Sequence, residues 1–365
     1  MLVTMALTAA GVFGVVGLAV DVGRVLIARN ELQVFSDSAS MAAALALDGT
    51  SAGIGRAASA AAVSTNKWNF STSFVNTPAV AFAAAPAGPW VNSPTPAAGY
   101  SYVRVIATAP VKLYFLSLLT GQGTFSVVSS AVSGQAPLNS LLRGLAPYTA
   151  VSTNTDGPDF GFIIGNSYTI HWPTYNSSRS GCGPEDPSKC FNSPPCSGDA
   201  SASLSAVVAN WGSQYHGYWG SNSNSEIAAE VINAIQLAPV SVGANLAPLL
   251  TPGNKQSEAR YLDQRASQDT DTSDSTPALY FASASHNGRR LLPVAIADPV
   301  DPLHTTVLGF GLFLLYANGS PSDYYNTSTN GNSPYCAVYA GPYNVGSSSP
   351  GVGGATGASV VRLVE

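Results

Sequence analysis

The chain has 365 residues, 45% of them apolar and only 10% charged, with a formal net charge of -5. That apolar share excludes wholesale disorder, and a charged share far below the usual ~25% leaves neutral Ser, Thr, Asn and Gly to keep the surface wet. With 15 Lys and Arg scattered along it, the chain has no basic stripe to neutralise phosphates, which excludes a nucleic-acid partner.

Residues Leu2 to Val20 carry neither charge nor proline. As a helix they match the roughly 30 Å hydrocarbon core of a bilayer. The helical pattern runs on through Asp21, Arg24 and Glu31 to about Leu47, where Asp48-Gly49 supplies a stop. Ala6, Ala10 and Gly14 stand four apart, a small-residue face that lets helix backbones approach closely. Beyond them Val25, Ala28, Leu32, Phe35, Ala39, Ala42 and Ala46 follow a 3-4 spacing, a seam for docking on a helix or sheet. Arg24 and Arg29 follow the apolar run and no cation precedes it. Taken alone this points the chain toward the cytoplasm; a basic leader removed ahead of Met1 reconciles it with export.

Further along, the pattern predicts a helix over 54–66, a strand from Lys67 to Val75 and an irregular connector from Pro78 to Pro96. Tyr100 to Ala109 alternates as a strand closed by Pro110. Val111 to Leu119 reads as a short helix, and Thr124 to Ser133 as a second strand. From Pro137 the character changes. Phe160 to Trp172 reads as a strand pair about Gly165-Asn166, and Glu226 to Ile235 and Gln256 to Ala266 as helices. Strands are expected at Arg290–Ile296, Thr305–Tyr316, Tyr335–Tyr339 and Ser359–Val364, with Gly/Ser/Asn loops over 318–334 and 346–358, the Gly-rich string from Gly351 reading as a flexible loop.

Cys182, Cys190, Cys196 and Cys336 make an even count without C-x-x-C spacing or adjacent His. They read as two disulfides of an exported protein, with three pairings open. His171, His216, His286 and His304 form no catalytic or metal motif, so no catalytic residue, metal or cofactor is expected. Asp271 to Ser275 fits a D-x-S-x-S string but lacks a buried strand before it; it reads as a solvated acidic loop, calcium on Asp269, Asp271 and Asp274 being the alternative. Trp211, Tyr215, Tyr218 and Trp219 form the densest aromatic patch, suited to packing or to a sugar or subunit contact. Asn69, Asn176, Asn318 and Asn326 head weak glycosylation strings.

The block Gly17-Leu18-Ala19-Val20-Asp21-Val22-Gly23-Arg24, the Ala-rich stretch Asp37 to Leu47 and the segment Tyr102 to Ser133 carry a family resemblance. The first 135 residues resemble the TadG/TadE-like proteins of bacterial tight-adherence (Flp-type) pilus systems. One departure is Met5, where pilins carry a glutamate. The resemblance implies an α+β chain: a long hydrophobic assembly helix (1–48), a small pilin-like α+β domain (49–135) and a β-rich exported domain with disulfides (136–365). It implies a non-enzymatic structural subunit of an extracellular pilus-like filament, polymerised through Ala6, Ala10, Gly14, Gly17, Val25, Leu32, Phe35 and Ala39. The expected partners are copies of itself, the bacterial membrane before assembly, and pilus secretion machinery. The alternative is a membrane-anchored accessory protein of pilus assembly, with one transmembrane helix and an exported C-terminal part.

Overall fold

A computed structural model describes residues 1–62, 67–68, 73–172, 178–183, 185–191, 196–199, 215–217, 224–233, 236, 238–246, 250–252, 259–273, 276–298, 306–317, 334–346, 350–353 and 355–364. The chain folds as two compact units, Met1–Gln135 with Val361–Glu365, and Ala136–Val360.

The first unit is led by α1 (Leu2–Leu45) and α2 (Ser51–Ala61). Thr50 starts α2 by accepting the Gly53 N–H on its hydroxyl at 3.0 Å. The strands are β1 (Lys67–Trp68), β2 (Ser73–Phe74), β3 (Ala79–Ala83), β4 (Tyr102–Lys112) and β5 (Thr124–Pro137), with α3 (Leu116–Thr120) joining the last two. β3, β4 and β5 pair antiparallel in that order. Val103, Val105, Ala107 and Ala109 stand opposite Ser133, Ala131, Ser129 and Val127, and all eight are buried. That single face packs on α1.

The seam on α1 follows the true helical period. Ala28, Leu32, Phe35 and Ala39 are buried and Val25 is half-buried, but Ala42 is exposed. Ser36, Ser40, Ala43, Ala44 and Leu47 are buried in its stead. A strict 3-4 repeat drifts about 20° per heptad on a straight helix, so it leaves the buried face within three heptads. The serines are tolerated because they pair: Ser36 with Ser129 at 2.6 Å and Ser40 with Ser133 at 2.7 Å. Gln135 donates to the carbonyls of Ala44 and Leu47, both at 2.8 Å, satisfying the end of the helix.

Three expectations fail locally. β4 continues through Pro110 to Lys112, and α3 begins only at Leu116. β3 pairs no further than Ile106, so beyond it β4 has a one-sided ladder among the described residues, where a missing N–H is tolerated. The connector predicted as irregular contains β3.

The second unit contains β6 (Ser140–Leu141), β7 (Thr149–Val151), β8 (Ser167–His171), β9 (Tyr215–Gly217), α4 (Asn224–Asn233), β10 (Val240–Ser241), β11 (Leu250–Pro252), α5 (Ala259–Ala266) and α6 (Pro277–Ala282). β12 (Leu291–Ala297), β13 (Val307–Leu314), β14 (Tyr335–Val345) and β15 (Ala358–Val364) follow, close to the four strands expected there. β12, β13 and β14 pair antiparallel; β7 joins β12 and β15 joins β14 in parallel, and β8 runs antiparallel to β14. Every residue of β12 is buried. Leu292, Val294 and Ile296 belong to one apolar cluster, Leu291 and Ala295 to another, so the sheet is covered on both faces. The expected strand before Gly165 is a turn, with Phe160 at φ 52°. The stretch from Gly351, expected to be flexible, is largely buried. A side chain at Gly357 would sit 2.2 Å from the Phe310 carbonyl, so glycine there permits close backbone approach.

The expectation of an α+β chain headed by a long hydrophobic helix is therefore corrected. The fold is mixed α/β with a large mixed sheet, and among the described residues no helix is long and apolar enough to cross a membrane. α1 is long, but from Asp21 onward it is a packing element that buries a carboxylate and two serines.

The cysteines pair as Cys182–Cys190 and Cys196–Cys336, with Cα separations of 4.6 and 5.8 Å. Two disulfides point to an oxidising setting, extracellular or periplasmic. Cys196–Cys336 closes a loop of sequence separation 140, the other one of 8. Loop entropy assigns these about 5 and about 2.5 kcal/mol. Cys336→Ser should cost about 2–5 kcal/mol and more than Cys182→Ser, measured by denaturant melts; equal costs would sink the loop-closure account.

Two buried carboxyls oppose folding at neutral pH. Burial pushes Asp199, which accepts from the Thr169 hydroxyl at 2.5 Å, up to about 7. Burial, with Glu226 nearby, does the same to Glu230, whose oxygens meet no hydrogen-bond partner among the described residues. A raised acid favours the folded state below its unfolded pKa, and that advantage is lost as pH rises toward 7. Glu230→Gln should therefore raise the melting temperature at pH 8 and leave it nearly unchanged at pH 4; an equal gain at both would contradict this.

Candidate functional site

Gly17, Asp21 and Arg24 are spaced i, i+4, i+7 and so share one face of α1. All three engage the segment from Tyr114 to Leu116. A side chain at Gly17 would fall 2.4–2.7 Å from the Phe115 ring, so only glycine lets that ring lie against the helix. The Arg24 guanidinium sits 4.7 Å above the Tyr114 ring, and the Lys112 ammonium lies 5.6 Å from the same ring.

Asp21 holds the centre. Its carboxylate accepts the N–H of Tyr114 at 3.0 Å, of Phe115 at 2.8 Å and of Leu116 at 2.7 Å. These donors open α3, whose N-cap Phe115 offers no side-chain acceptor of its own. A carboxylate from a distant helix thus satisfies amides that the local sequence leaves orphaned, with charge-assisted bonds. Burial raises the Asp21 pKa, but the three backbone donors and Arg24 outweigh it and hold the carboxyl below its usual range.

N-terminal to this clamp, α1 exposes its apolar side chains. Met5 is 72%, Val12 62%, Val15 70% and Val16 55% exposed. On the outer face of the clamped region Leu18, Val20, Val22, Leu26 and Ile27 are also exposed. Gly14 faces open space, whereas Gly17 is occupied by Phe115. The side chains of Ala6 and Ala10 lie outside the described ones. Of the expected assembly residues, then, Gly14 is free for a partner. Gly17, Leu32, Phe35 and Ala39 are buried, and Val25 is half-buried.

The other candidate side chains hold backbone or pack on rings. Asp269 accepts from the Tyr280 hydroxyl at 2.6 Å, the Arg290 N–H at 2.8 Å and the Asp271 N–H at 2.9 Å. Those donors anchor the turn carrying buried Arg290, which donates to the carbonyls of Leu315 and Ser273 at 2.8 Å. Asp271 accepts from Ser273 at 2.6 Å, and Asp274 lies outside the described residues. Among the described residues no cluster of His, Cys, Asp and Glu is arranged for a metal. His171 stacks on Tyr335 and His286 on Tyr280, His216 lies in β9, and His304 lies outside the described residues. Trp211, Tyr218, Trp219 and all four candidate glycosylation asparagines also lie outside them.

The sequence reading missed Asp21 as a cap. Its signal was a lone carboxylate in an apolar run, on the same helical face as Gly17 and Ala28. No family model, no curated protein and no solved structure matches this chain.

A carboxylate with a depressed pKa stabilises the fold above its unfolded pKa, and that contribution is lost as pH falls through the folded value. Asp21→Asn should lower the melting temperature at pH 7 and flatten its fall below pH 4. An unchanged acid limb would show that Asp21 does not cap α3 as a carboxylate.

Proposed function

We propose that this chain is a structural subunit of a bacterial extracellular pilus-like filament that assembles with copies of itself through the exposed face of α1. The observation behind this reading is the contrast along that helix. From Asp21 onward one face is fixed to its own unit, while Met5, Val12, Gly14, Val15 and Val16 meet nothing that buries them. Met5, Val12, Val15 and Val16 lie on one side of the helix, and an exposed apolar side of this kind marks an interaction site rather than ordinary exposure. Gly14, three residues before Gly17, lies on the clamp side of α1 but has nothing within 4 Å, so it offers close helix approach to an incoming copy on that side.

The resemblance of Gly17–Arg24 and of Tyr102–Ser133 to TadG/TadE-like proteins supports the same reading, since the clamp joins those two stretches. The disulfides fit an exported subunit. A sparsely charged surface suits dense packing of identical chains, because like charges repel little.

Gly14→Leu should leave the melting temperature unchanged, because the position faces open space, and should reduce self-association at least tenfold in light scattering. Negative-stain imaging of sheared surface material should show the wild-type chain in filaments. A wild-type chain that stays monomeric at high concentration and is absent from such filaments would overturn the reading.

A further inference from the structure

We infer that the seat for the α1 face of one copy is the end of the β4–β5 hairpin on the next copy, where α3 makes the connection. This rests on the self-assembly proposed above and assigns the surface that receives the helix. Leu118 is 85% exposed, Phe125 48%, Tyr114 48% and Phe115 43%. Phe115 and Leu118 share a face of α3 by their i, i+3 spacing. Phe125, the second residue of β5, stands opposite Val111 at the same end of the hairpin.

The two surfaces match in chemistry. Residues 1–20 contain no charged side chain, and neither does the stretch from Leu113 to Phe125. Each needs an apolar partner and offers no charge that contact would strand in a dry interface. They are also separate patches on one chain. Joining unlike patches of identical subunits gives a head-to-tail contact, which propagates into rings or filaments, whereas self-pairing of the helices stops at two. Met5, Val12, Val15 and Val16, 55–72% exposed, lie on one side of α1 beyond its own clamp and are the side chains that such a seat covers. An anionic membrane surface fits less well. Arg24 and Lys112, the cations beside the seat, both lie over the Tyr114 ring, and surface-bound helices are rich in exposed cations.

The clamp gives the seat its rigidity. Asp21 fixes the first amides of α3 and Gly17 fixes Phe115, so the aromatic floor is formed before a partner arrives.

All four native cysteines are in disulfides, so new ones report contact cleanly. A Gly14→Cys copy mixed with a Leu118→Cys copy should give an intermolecular cross-link under mild oxidation, and Val15→Cys serves as a second helix probe. Leu118→Glu should reduce self-association at least tenfold with an unchanged melting temperature, because the side chain is exposed. Three results overturn the inference while self-assembly stands: undiminished assembly of Leu118→Glu, cross-linking of Gly14→Cys alone, and failure of both mixed pairs to cross-link while oligomers form. Wild-type protein that remains monomeric overturns both readings. Flotation with phosphatidylcholine vesicles in place of self-association overturns both in favour of a lipid surface.

Discussion

One carboxylate organises the first unit. Asp21 gathers three consecutive backbone N–H groups of the β4–α3 connection, and this contact couples the start of the helix's buried face to the end of the hairpin. Orphaned amides at a helix start need an acceptor, and a buried carboxylate needs donors. Each requirement answers the other across more than ninety residues of chain. The flanking Gly17–Phe115 and Arg24–Tyr114 contacts belong to the same face, so the register of the helix on the sheet is set at that end. The serine pairs and Gln135 set it at the other.

The low charge content changes how polar groups serve this protein. Its few buried charges hold backbone in place. Asp21 caps α3, Asp269 and Arg290 hold a turn, and Arg265 donates to the carbonyls of Val231 and Leu291 at 2.9 and 2.8 Å. Charged donors and acceptors make the stronger hydrogen bonds, and several backbone groups per side chain satisfy them without a matching counter-ion. Glu230 departs from this pattern, with no partner among the described residues.

Much of the strand content was legible. β12, β13, β14 and β15 lie where apolar and aromatic residues alternate or run together between turn residues, and that pattern is local. The helix end near Leu45 was legible from Asp48-Gly49. What failed did so for non-local reasons. β4 passes Pro110 because β5 extends its ladder, and β3 forms in a Pro-rich stretch because β4 offers an edge. The Gly-rich stretch near residue 353 reads as loose in sequence, yet its neighbours crowd it. The heptad seam was placed correctly at Ala28, Leu32, Phe35 and Ala39. Beyond Ala39 the strict 3-4 repeat drifts off the buried face of a straight helix, and Ser36 and Ser40, paired to β5, take the core side instead.

By itself the sequence determined that the chain folds, that a long helix leads it and that its cysteines are structural. Composition, period and parity are properties of neighbours along the chain. The tertiary structure decided the disulfide pairing, the mixed sheet and the division of α1 into a packed face and an exposed apolar one. It also turned the Gly17–Arg24 block from a recognisable string into a clamp. Those outcomes depend on which distant amides, rings and hydroxyls meet, and one-dimensional spacing carries no record of that meeting.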